Sequence, residues 1–255
     1  MSRGKQVDLY IPHPFNPLSN YAFFHAGASR RFIYQDGILN YYDATTPLVS
    51  LSSRMRQRVK AGALGARFHM YGGHLSGIDC RPVAGGFFTH PDRIVSAEKF
   101  PMLQRLDFKR AVQSRAAAAG RNVLFLDQPV ELLIGAEPAR ELRRRTLEYT
   151  NALGGQVFYK PHYAQGRTAS FDQHWLPIAP ELSALPAEWV VDRLKVAHVV
   201  SFCTSALVNI ATSDTAIACH ATAANLVRVS VDGNPTNLGE IFSGLGVNVA
   251  DLLSR

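Results

Sequence analysis

The chain has 255 residues, of which 47% are hydrophobic and 18% charged, and this composition excludes a disordered or fibrous protein. The sequence contains neither a signal-peptide h-region nor an apolar run of about 18 residues, so we expect a cytoplasmic protein without a transmembrane helix. The net charge of +7 favours anionic partners, namely a nucleotide, a nucleic acid or an acidic membrane surface, without choosing among them.

Residues 1–120 are predicted to form a first α/β domain. Two apolar runs have the composition of strands, and two further stretches have helical spacing. Asp107 is placed to cap the second helix and Gly120 to end it. In chain order, these strands and helices span residues 7–11, 31–34, 50–61 and 108–119. The alanine-rich segment 116–122 follows, and we place the boundary between two domains near residue 121.

Residues 121–255 are predicted to form a second α/β domain, in which strands alternate with helices. The predicted strands are 122–126, 156–159, 197–203 and 214–219, and the predicted helices are 138–153, 186–194 and 205–211. This βαβαβαβ order implies a doubly wound parallel sheet. The last segment, 238–253, is predicted to form two short helices that cross back to the first domain.

Three short polar segments each follow a predicted strand. They are Gln35-Asp36-Gly37, Lys160-Pro161-His162 and Thr204-Ser205. Open α/β sheets bind ligands outside the carboxyl ends of their strands, so we expect all three segments to face a binding cleft. An acid, a histidine beside a lysine and a hydroxyl pair at a helix start are the groups needed to deprotonate a hydroxyl and to hold a phosphate.

Each of these segments also has an ordinary structural interpretation. Asp36 precedes a glycine, and Asp-Gly is a common turn dipeptide, while a lone histidine such as His162 is more often structural than catalytic. Thr204 and Ser205 are good helix N-caps, a role that is compatible with phosphate binding. Glu188 lies in the first turn of a predicted helix, where the helix dipole favours an acid, and it is also placed to bind ribose hydroxyls.

The proline-stiffened loop 11–21 is predicted to carry binding residues, because ordered loops often do. The side chains that we assign to acceptor or sugar binding are His13, Asn16, Ser19, Asn20 and Asn40.

Other features bear on metals and on partners. No Asp-X-Asp pair or carboxylate cluster stands out as a cation site, so we predict that no metal is required. The three cysteines follow no metal-binding spacing and are predicted to be buried thiols in a reducing compartment. Four arginines of one predicted helix form either a solvated helix face or a patch that faces a membrane or an acceptor. These arginines are Arg140, Arg143, Arg144 and Arg145.

The chain resembles the bacterial sialyltransferases and polysialyltransferases of the GT-B type. Members of that family carry an acidic Asp/Glu-Asp/Glu-Gly motif, a His-Pro motif and a Ser-Ser/Thr motif, in that order. Here the similar segments are Gln35-Asp36-Gly37, Pro161-His162-Tyr163 and Thr204-Ser205. Asp127-Gln128-Pro129 is similar to the start of the family's nucleotide domain, and Leu185-Pro186-Ala187-Glu188 is also similar. The resemblance covers most of residues 31–211.

The resemblance implies an α/β fold with two Rossmann-type domains, the first reduced, around a central cleft. It also implies metal-independent, inverting transfer of sialic acid or a related nonulosonic acid from a CMP donor. Asp36 would be the base that activates the acceptor hydroxyl, and His162 would assist the departure of CMP. The residues that would hold the nucleotide and its phosphate are Gln128, Lys160, Glu188, Thr204 and Ser205.

The chain departs from the family pattern at two positions. Gln35 stands at the first acidic position, and Tyr163 stands where the family has proline after the histidine. The literal His-Pro pairs of this chain are instead His13-Pro14 and His90-Pro91.

The leading hypothesis is therefore a glycosyltransferase that acts in cell-surface polysaccharide synthesis, with a glycan or glycolipid acceptor and peripheral contact with an anionic membrane on its inner face. A GT-B transferase that uses another nucleotide sugar, or a nucleotide- or glycan-binding protein without catalysis, remains an alternative. We expect no cofactor. We also expect no nucleic-acid partner, because the basic residues are scattered and no reader motif is present.

Overall fold

A computed structural model describes residues 7–24, 27, 30–45, 51–107, 121–162, 173–213 and 216–253. The contacts divide the chain into two compact units. The first unit comprises Met1–Asp107 and Ser230–Asn234, and the second comprises Phe108–Val229 and Pro235–Arg255. The predicted helix 108–119 lies outside the described residues, and the boundary near residue 121 adjoins it and stays a prediction.

The first unit contains a parallel sheet of four strands in the order β1-β2-β3-β4. The strands are β1 (Asp8–Ile11), β2 (Arg30–Tyr34), β3 (Gly85–Phe88) and β4 (Leu103–Arg105), and the helices are α1 (Pro17–Phe24) and α2 (Leu51–Ala63). The predictions at 7–11, 31–34 and 50–61 are confirmed to within two residues, whereas β3 and β4 were not predicted.

The strand β3 was missed because it begins with two glycines, which have low strand propensity. A Cβ atom on Gly86 would overlap the rings of Phe88 and Phe100, so the backbone approaches these rings too closely for any side chain. Phe88 is completely buried, together with Phe23 and Ile33. The glycine therefore serves the aromatic core of this unit.

The second unit contains a parallel sheet of six strands in the order β12-β9-β8-β5-β6-β7. These strands are β5 (Asn122–Leu126), β6 (Val157–Lys160), β7 (Leu176–Pro177), β8 (Val196–Ser201), β9 (Ala218–Ala221) and β12 (Asn248–Val249). Counted in chain order, the arrangement is 3-2-1-4-5-6, the order of doubly wound sheets that bind dinucleotides. The predicted doubly wound parallel sheet is confirmed.

Besides the short 3₁₀ helix Ala224–Leu226, the remaining described elements of this part of the chain are α-helices and one hairpin. They are α3 (Glu131–Ile134), α4 (Ala136–Ala152), α5 (Pro180–Ser183), α6 (Ala187–Leu194), α7 (Ala206–Ser213), α8 (Leu238–Gly244), β10 (Arg228–Val231) and β11 (Asn234–Asn237). Three of these helices, α4, α6 and α7, confirm the predictions at 138–153, 186–194 and 205–211.

The apolar run at the start of the second unit is buried on both faces, as parallel strands between helices are. Val123, Leu124 and Phe125 of β5 are completely buried. After α4, Gly155 has φ +86°, and a Cβ atom there would overlap the carbonyl of Arg121. The predicted glycine stop is therefore enforced by both backbone conformation and packing.

Two predictions for the C-terminal part were wrong. The strand predicted at 214–219 begins later, as Ala218–Ala221. The predicted pair of helices at 238–253 is one helix, α8, followed by Asn248–Val249, which extends the sheet beside β9. Residues 235–255 stay with the second unit, and the hairpin turn at Ser230–Asn234 is the segment that belongs to the first.

Cys203 and Cys219 are buried thiols, as predicted, but Cys80 is exposed. The Cys80 Sγ donates to the carbonyl of Gly72 at 3.1 Å. Across the described part of the chain, every helix is too short or too polar to span a bilayer.

Candidate functional site

The second unit has a cavity of about 600 Å³ at the carboxyl ends of its central strands. Its walls come from the end of β5 (Leu126 and Asp127), the end of β6 (Lys160 to His162) and the start of α7 (Thr204 and Ala206), with residues 183–187 completing it. The volume lies within the usual range for small-ligand sites, about 300–1,000 Å³. The cavity adjoins the switch point of the sheet, where the connections from neighbouring strands β5 and β8 diverge, and such crevices bind ligands. We call it the switch-point pocket.

Lys160 and His162 both line the switch-point pocket. The ammonium of Lys160 donates to the carbonyl of Ser183 at 2.5 Å, which fixes the side chain against the wall. Partial burial lowers the pKa of Lys160, and the nearby charge of Glu188 opposes that shift. The pair therefore supplies a cation and an imidazole, two groups that suit an anionic ligand. Tyr163 lies outside the described residues.

Thr204 and Ser205 directly precede α7. Thr204 lines the pocket, and its Oγ1 accepts a long hydrogen bond of 3.5 Å from the N–H of Ala206. Ser205 is not among the described residues of the pocket wall, although its carbonyl accepts from the N–H of Val208. The positive end of the helix dipole adds to this wall, so the N-cap and anion-binding interpretations hold together.

Gln128 and Glu188, predicted to hold the nucleotide, lie beside the pocket but are not among its described wall residues. The Oε1 of Gln128 accepts from the N–H of Cys203 at 2.8 Å, which ties the end of β5 to the end of β8. The Oε1 of Glu188 accepts from the amide of Asn209 at 2.8 Å, which ties α6 to α7. Both side chains therefore fix the elements that carry the pocket.

A buried acid in the pocket wall was not assigned a role from the sequence. Asp127, only 5% exposed, accepts from Arg143 Nη1 at 3.1 Å and from the hydroxyl of Tyr159 at 2.7 Å. Arg143 also pairs with Glu131 and stacks on the ring of Phe202. Burial and the neighbouring Asp127 carboxylate raise the pKa of Tyr159. The sequence did contain a signal for this cluster, since Asp127 directly follows the apolar strand β5.

The predicted arginine patch of α4 is largely neutralised by acids. These ion pairs are Arg140–Glu137, Arg143–Glu131, Arg144–Glu141, Arg144–Glu148 and Arg145–Glu141. The exposed, ion-paired Arg140 and Arg144 favour the first of the two interpretations, a solvated face, whereas Arg143 turns inward to the buried Asp127.

In the first unit, polar side chains follow three neighbouring strands at the same edge of the sheet: His13 after β1, Gln35 and Asp36 after β2, and Thr89 and His90 after β3. We call this set the Asp36 edge.

His13 Nε2 lies 3.3 Å from Asp36 Oδ2. The Nδ1 of His13 accepts from the N–H of Phe15, so the neutral ring carries its proton on Nε2, facing the carboxylate. Hydrogen bonding from His13 holds the pKa of Asp36 below its usual value. The side chain of Asp36 is 56% exposed, so the edge presents an ionised carboxylate to solvent. His13, predicted to touch a sugar, is the partner of this carboxylate.

Gln35 is buried and held by its oxygen. Its Oε1 accepts from the hydroxyl of Tyr41 at 2.7 Å and from both the N–H and the hydroxyl of Thr89 at 2.8 Å. The backbone N–H of Thr89 can donate only to the oxygen of the Gln35 amide and not to its NH₂ group, so this contact fixes which way the amide is turned. The Nε2 of Gln35 is then a buried donor without a partner among the described residues.

Two more side chains of this region, the buried Asn40 and the partly buried His90, have buried polar atoms without a hydrogen-bond partner among the described residues. Asn40 is 3% exposed, and both atoms of its amide lack a partner among the described residues. The same is true of His90 Nε2, and burial lowers the pKa of this histidine. Buried polar atoms without partners are rare and cost about 1–3 kcal/mol each. Together with Gln35, they indicate a place for a polar ligand.

The predicted loop 11–21 is a loop only in its first part, because α1 begins at Pro17. Besides His13, this segment carries three candidates, Asn16, Ser19 and Asn20, and their side chains have different roles. Asn20 is completely buried, and its amide donates to the carbonyls of Pro14 and His69 and accepts from the N–H of His69. Asn20 therefore holds the loop to a neighbouring segment and has no free donor for a sugar. Asn16 caps α1, because its Oδ1 accepts from the N–H of Ser19 at 2.9 Å. The hydroxyl of Ser19 is buried without a described partner.

No group of three or more histidine, cysteine, aspartate or glutamate side chains within the described ranges is placed to hold a metal ion. In comparisons with known proteins, the chain matches no family model and no curated protein sequence.

Proposed function

We propose that this chain is an inverting, metal-independent glycosyltransferase that moves sialic acid or a related nonulosonic acid from a CMP donor to a glycan hydroxyl. The observation that carries the proposal is the switch-point pocket, because Lys160, His162 and Thr204 converge there on a sheet of nucleotide-binding strand order. The GT-B arrangement, with the first unit as a reduced Rossmann-type acceptor domain, is part of the proposal. We also propose that the enzyme is cytoplasmic and acts in cell-surface polysaccharide synthesis.

On the donor side, the phosphate of CMP binds between Lys160 and the start of α7. The hydroxyl of Thr204 and the helix N-terminus stabilise the negative charge that grows on the phosphate as the bond from the anomeric carbon to oxygen breaks. His162 donates a hydrogen bond to a phosphate oxygen and so assists the departure of CMP.

On the acceptor side, Asp36 takes the proton of the glycan hydroxyl as the hydroxyl oxygen attacks the anomeric carbon from the face opposite CMP. Its ionised state and exposure support this role. The unused donor on Gln35 and the amide of Asn40 match the hydroxyl groups of a glycan acceptor. Gln35, at the family's first acidic position, is then a binding group and leaves Asp36 as the sole base of its motif.

Nucleotide binding tests the donor side. We expect CMP to raise the melting temperature of the protein, whereas UDP and GDP at the same concentration leave it unchanged. The variant Lys160→Met should lose the shift, because it removes the cation of the pocket. Lys195→Met, at an exposed position directly after α6, should keep it. A larger shift with UDP would favour a transferase for another nucleotide sugar and overturn the CMP assignment.

Catalysis is tested by release of CMP from CMP-sialic acid in the presence of glycan acceptors. Asp36→Asn should lower the rate about 10²–10⁴-fold, the usual contribution of a general base, with CMP affinity retained. The matched control is Asp92→Asn, an exposed acid of the same unit. His162→Ala should slow turnover and weaken CMP binding. Binding of CMP without any turnover would identify a nucleotide-binding protein rather than an enzyme.

A further inference from the structure

The helix α2 (Leu51–Ala63) turns apolar side chains toward solvent. Leu51, Met55 and Val59 are 68%, 44% and 71% exposed. They are spaced four residues apart, so they form one continuous stripe along the helix. Leu64, directly after the helix, is 61% exposed. The usual arrangement, in which the apolar face packs inward, is reversed here.

The orientation of α2 is fixed by its opposite face. Ala61 is completely buried, and Arg54 donates to the carbonyl of Tyr71 at 2.6 Å. Gln57, one turn before Ala61, is partly buried. A small residue, an amide and the stem of an arginine therefore form the inward face, and the apolar stripe is left outside.

Exposed basic side chains flank the stripe on both sides. At about 100° per residue, Arg58 lies on one side of it, and Arg56 and Lys60 lie on the other. The helix carries no acid, and none of these three forms an ion pair with a described residue. This sets α2 apart from α4, where the arginines are paired with glutamates.

We infer that α2 binds the surface of an anionic lipid bilayer and lies in its plane. The stripe Leu51-Met55-Val59 enters the boundary between headgroups and acyl chains, and Arg56, Arg58 and Lys60 contact lipid phosphates. An apolar stripe with basic flanks is the pattern of interfacial helices. At about 1.5 Å per residue, the 13 residues of α2 extend roughly 20 Å, too short to cross the bilayer.

Charge decides among the kinds of partner. A nucleic acid would use the basic side chains but would leave the apolar stripe in water, and a second copy of this helix would place like charges against each other. An anionic bilayer satisfies both sets of side chains at once. The inference stands on α2 alone, so it does not depend on the proposed transferase activity.

Co-sedimentation with vesicles tests the inference. The chain should bind vesicles of phosphatidylcholine with one quarter phosphatidylglycerol, and should bind phosphatidylcholine alone far more weakly. Each basic residue near an anionic surface contributes about fivefold in affinity, so Arg56→Gln, Arg58→Gln and Lys60→Gln together should weaken binding about 100-fold. Met55→Glu alone should abolish vesicle binding, because it places a charge within the apolar stripe.

A charge-matched control separates a specific surface from net charge. The variant with Arg93→Gln, Arg140→Gln and Arg228→Gln has the same net charge as the triple α2 variant, and it should keep nearly wild-type vesicle binding. All variants should melt at the wild-type temperature, since the exchanged side chains are exposed. The inference would be overturned if the control lost as much vesicle binding as the triple α2 variant, or if the chain bound neutral and anionic vesicles equally. It would also be overturned if the chain bound no vesicles and instead formed a dimer that Met55→Glu abolishes. Binding to an oligonucleotide in preference to vesicles would do the same.

Discussion

At the scale of single residues, the contact between His13 Nε2 and Asp36 Oδ2 governs the charge of the proposed base. The Nδ1 atom of His13 is occupied by the N–H of Phe15, so this ring has one free nitrogen and points it at the carboxylate. In the proposed function, His13 is therefore a positioning residue, and Asp36 is the group that contacts the acceptor. The pairing keeps Asp36 ionised, although a lowered pKa also makes it a weaker base.

Removing the imidazole should raise the pKa of Asp36. We expect His13→Ala to move it upward toward the ordinary value of 3.8, because the hydrogen bond that favours the carboxylate is lost. Carboxyl-carbon chemical shifts, followed by NMR from pH 2 to pH 6, measure it directly.

The matched control is His90→Ala, which removes an imidazole from the same sheet edge without touching the His13–Asp36 contact. If the pKa of Asp36 is unchanged in His13→Ala, the contact does not set its charge.

At the scale of elements, α4 is joined to the end of β5 by Arg143. The guanidinium of Arg143 forms an ion pair with Asp127, which is nearly completely buried. Asp127 also accepts a hydrogen bond from the hydroxyl of Tyr159. Breaking one side of a buried ion pair leaves a charge without compensation and is much more costly than breaking an exposed pair.

Arg143→Gln should therefore lower the free energy of unfolding by about 3 kcal/mol. Arg144→Gln, at the next position of the same helix, removes two exposed ion pairs and should have little effect. Urea unfolding followed by far-UV circular dichroism compares the two variants. Equal effects would show that the Asp127 cluster contributes no more than the surface pairs.

A second element-scale feature is a chain of polar contacts between α4, β9 and β8. The hydroxyl oxygen of Tyr149 lies 2.8 Å from His220 Nδ1, and His220 Nε2 lies 3.1 Å from His198 Nδ1. Burial, with a smaller contribution from His198, lowers the pKa of His220 to about 4. The Tyr149 hydroxyl can donate to this ring or accept from it, so it is the burial of the charge, and not the loss of that hydrogen bond, that opposes protonation of His220.

Stability should therefore fall as the pH is lowered from about 6.5 to 4. In that window the unfolded chain binds a proton at His220 and the folded chain does not, so the contribution is present above pH 6.5 and is lost below it. The loss attributable to this residue is at most about 3 kcal/mol.

Thermal melts across this pH window, compared between wild type and His220→Gln, give the contribution of His220. The variant should show a smaller decline, while His174→Gln, at an exposed histidine, should decline as the wild type does. If the melting temperature of His220→Gln fell with pH as steeply as that of the wild type, His220 would be excluded as the source of the pH dependence.

At the scale of the whole molecule, two parallel sheets carry different halves of the proposed chemistry. The second unit has the pocket with Lys160 and His162, and the first has the carboxylate of Asp36. Nucleotide and acceptor should therefore leave separate footprints.

Hydrogen exchange measured by mass spectrometry can locate these footprints. Saturating CMP should slow the exchange of amides near 127–128, 160–162 and 204–207, and should leave 35–41 unchanged. A glycan acceptor should do the opposite. UDP at the same concentration is the control ligand and should protect neither region. Protection by CMP at 35–41 instead would reassign the nucleotide to the first unit.

The sequence could predict the four central strands of the second unit's sheet because their signals are local, whereas the short edge strands β7 and β12 were missed. The run that becomes β5 is apolar after Asn122, and Gly154-Gly155 end the helix α4. In the first unit, β3 lacked such a signal, since its glycines are required by rings that only the fold brings near. Short β12 likewise depends on pairing with β9 rather than on its own composition.

For the candidate site, the sequence by itself placed Asp36, Lys160, His162 and Thr204 after strands, because chain order and strand composition are local properties. Only the tertiary structure decided the partners of these and other polar groups. It places the imidazole of His13 beside Asp36, uses the amide of Asn20 in hydrogen bonds within the first unit, and leaves the buried amide of Asn40 without a partner among the described residues. The physical reason is that hydrogen bonds and burial depend on distances between segments far apart in the chain, and a linear sequence does not contain those distances.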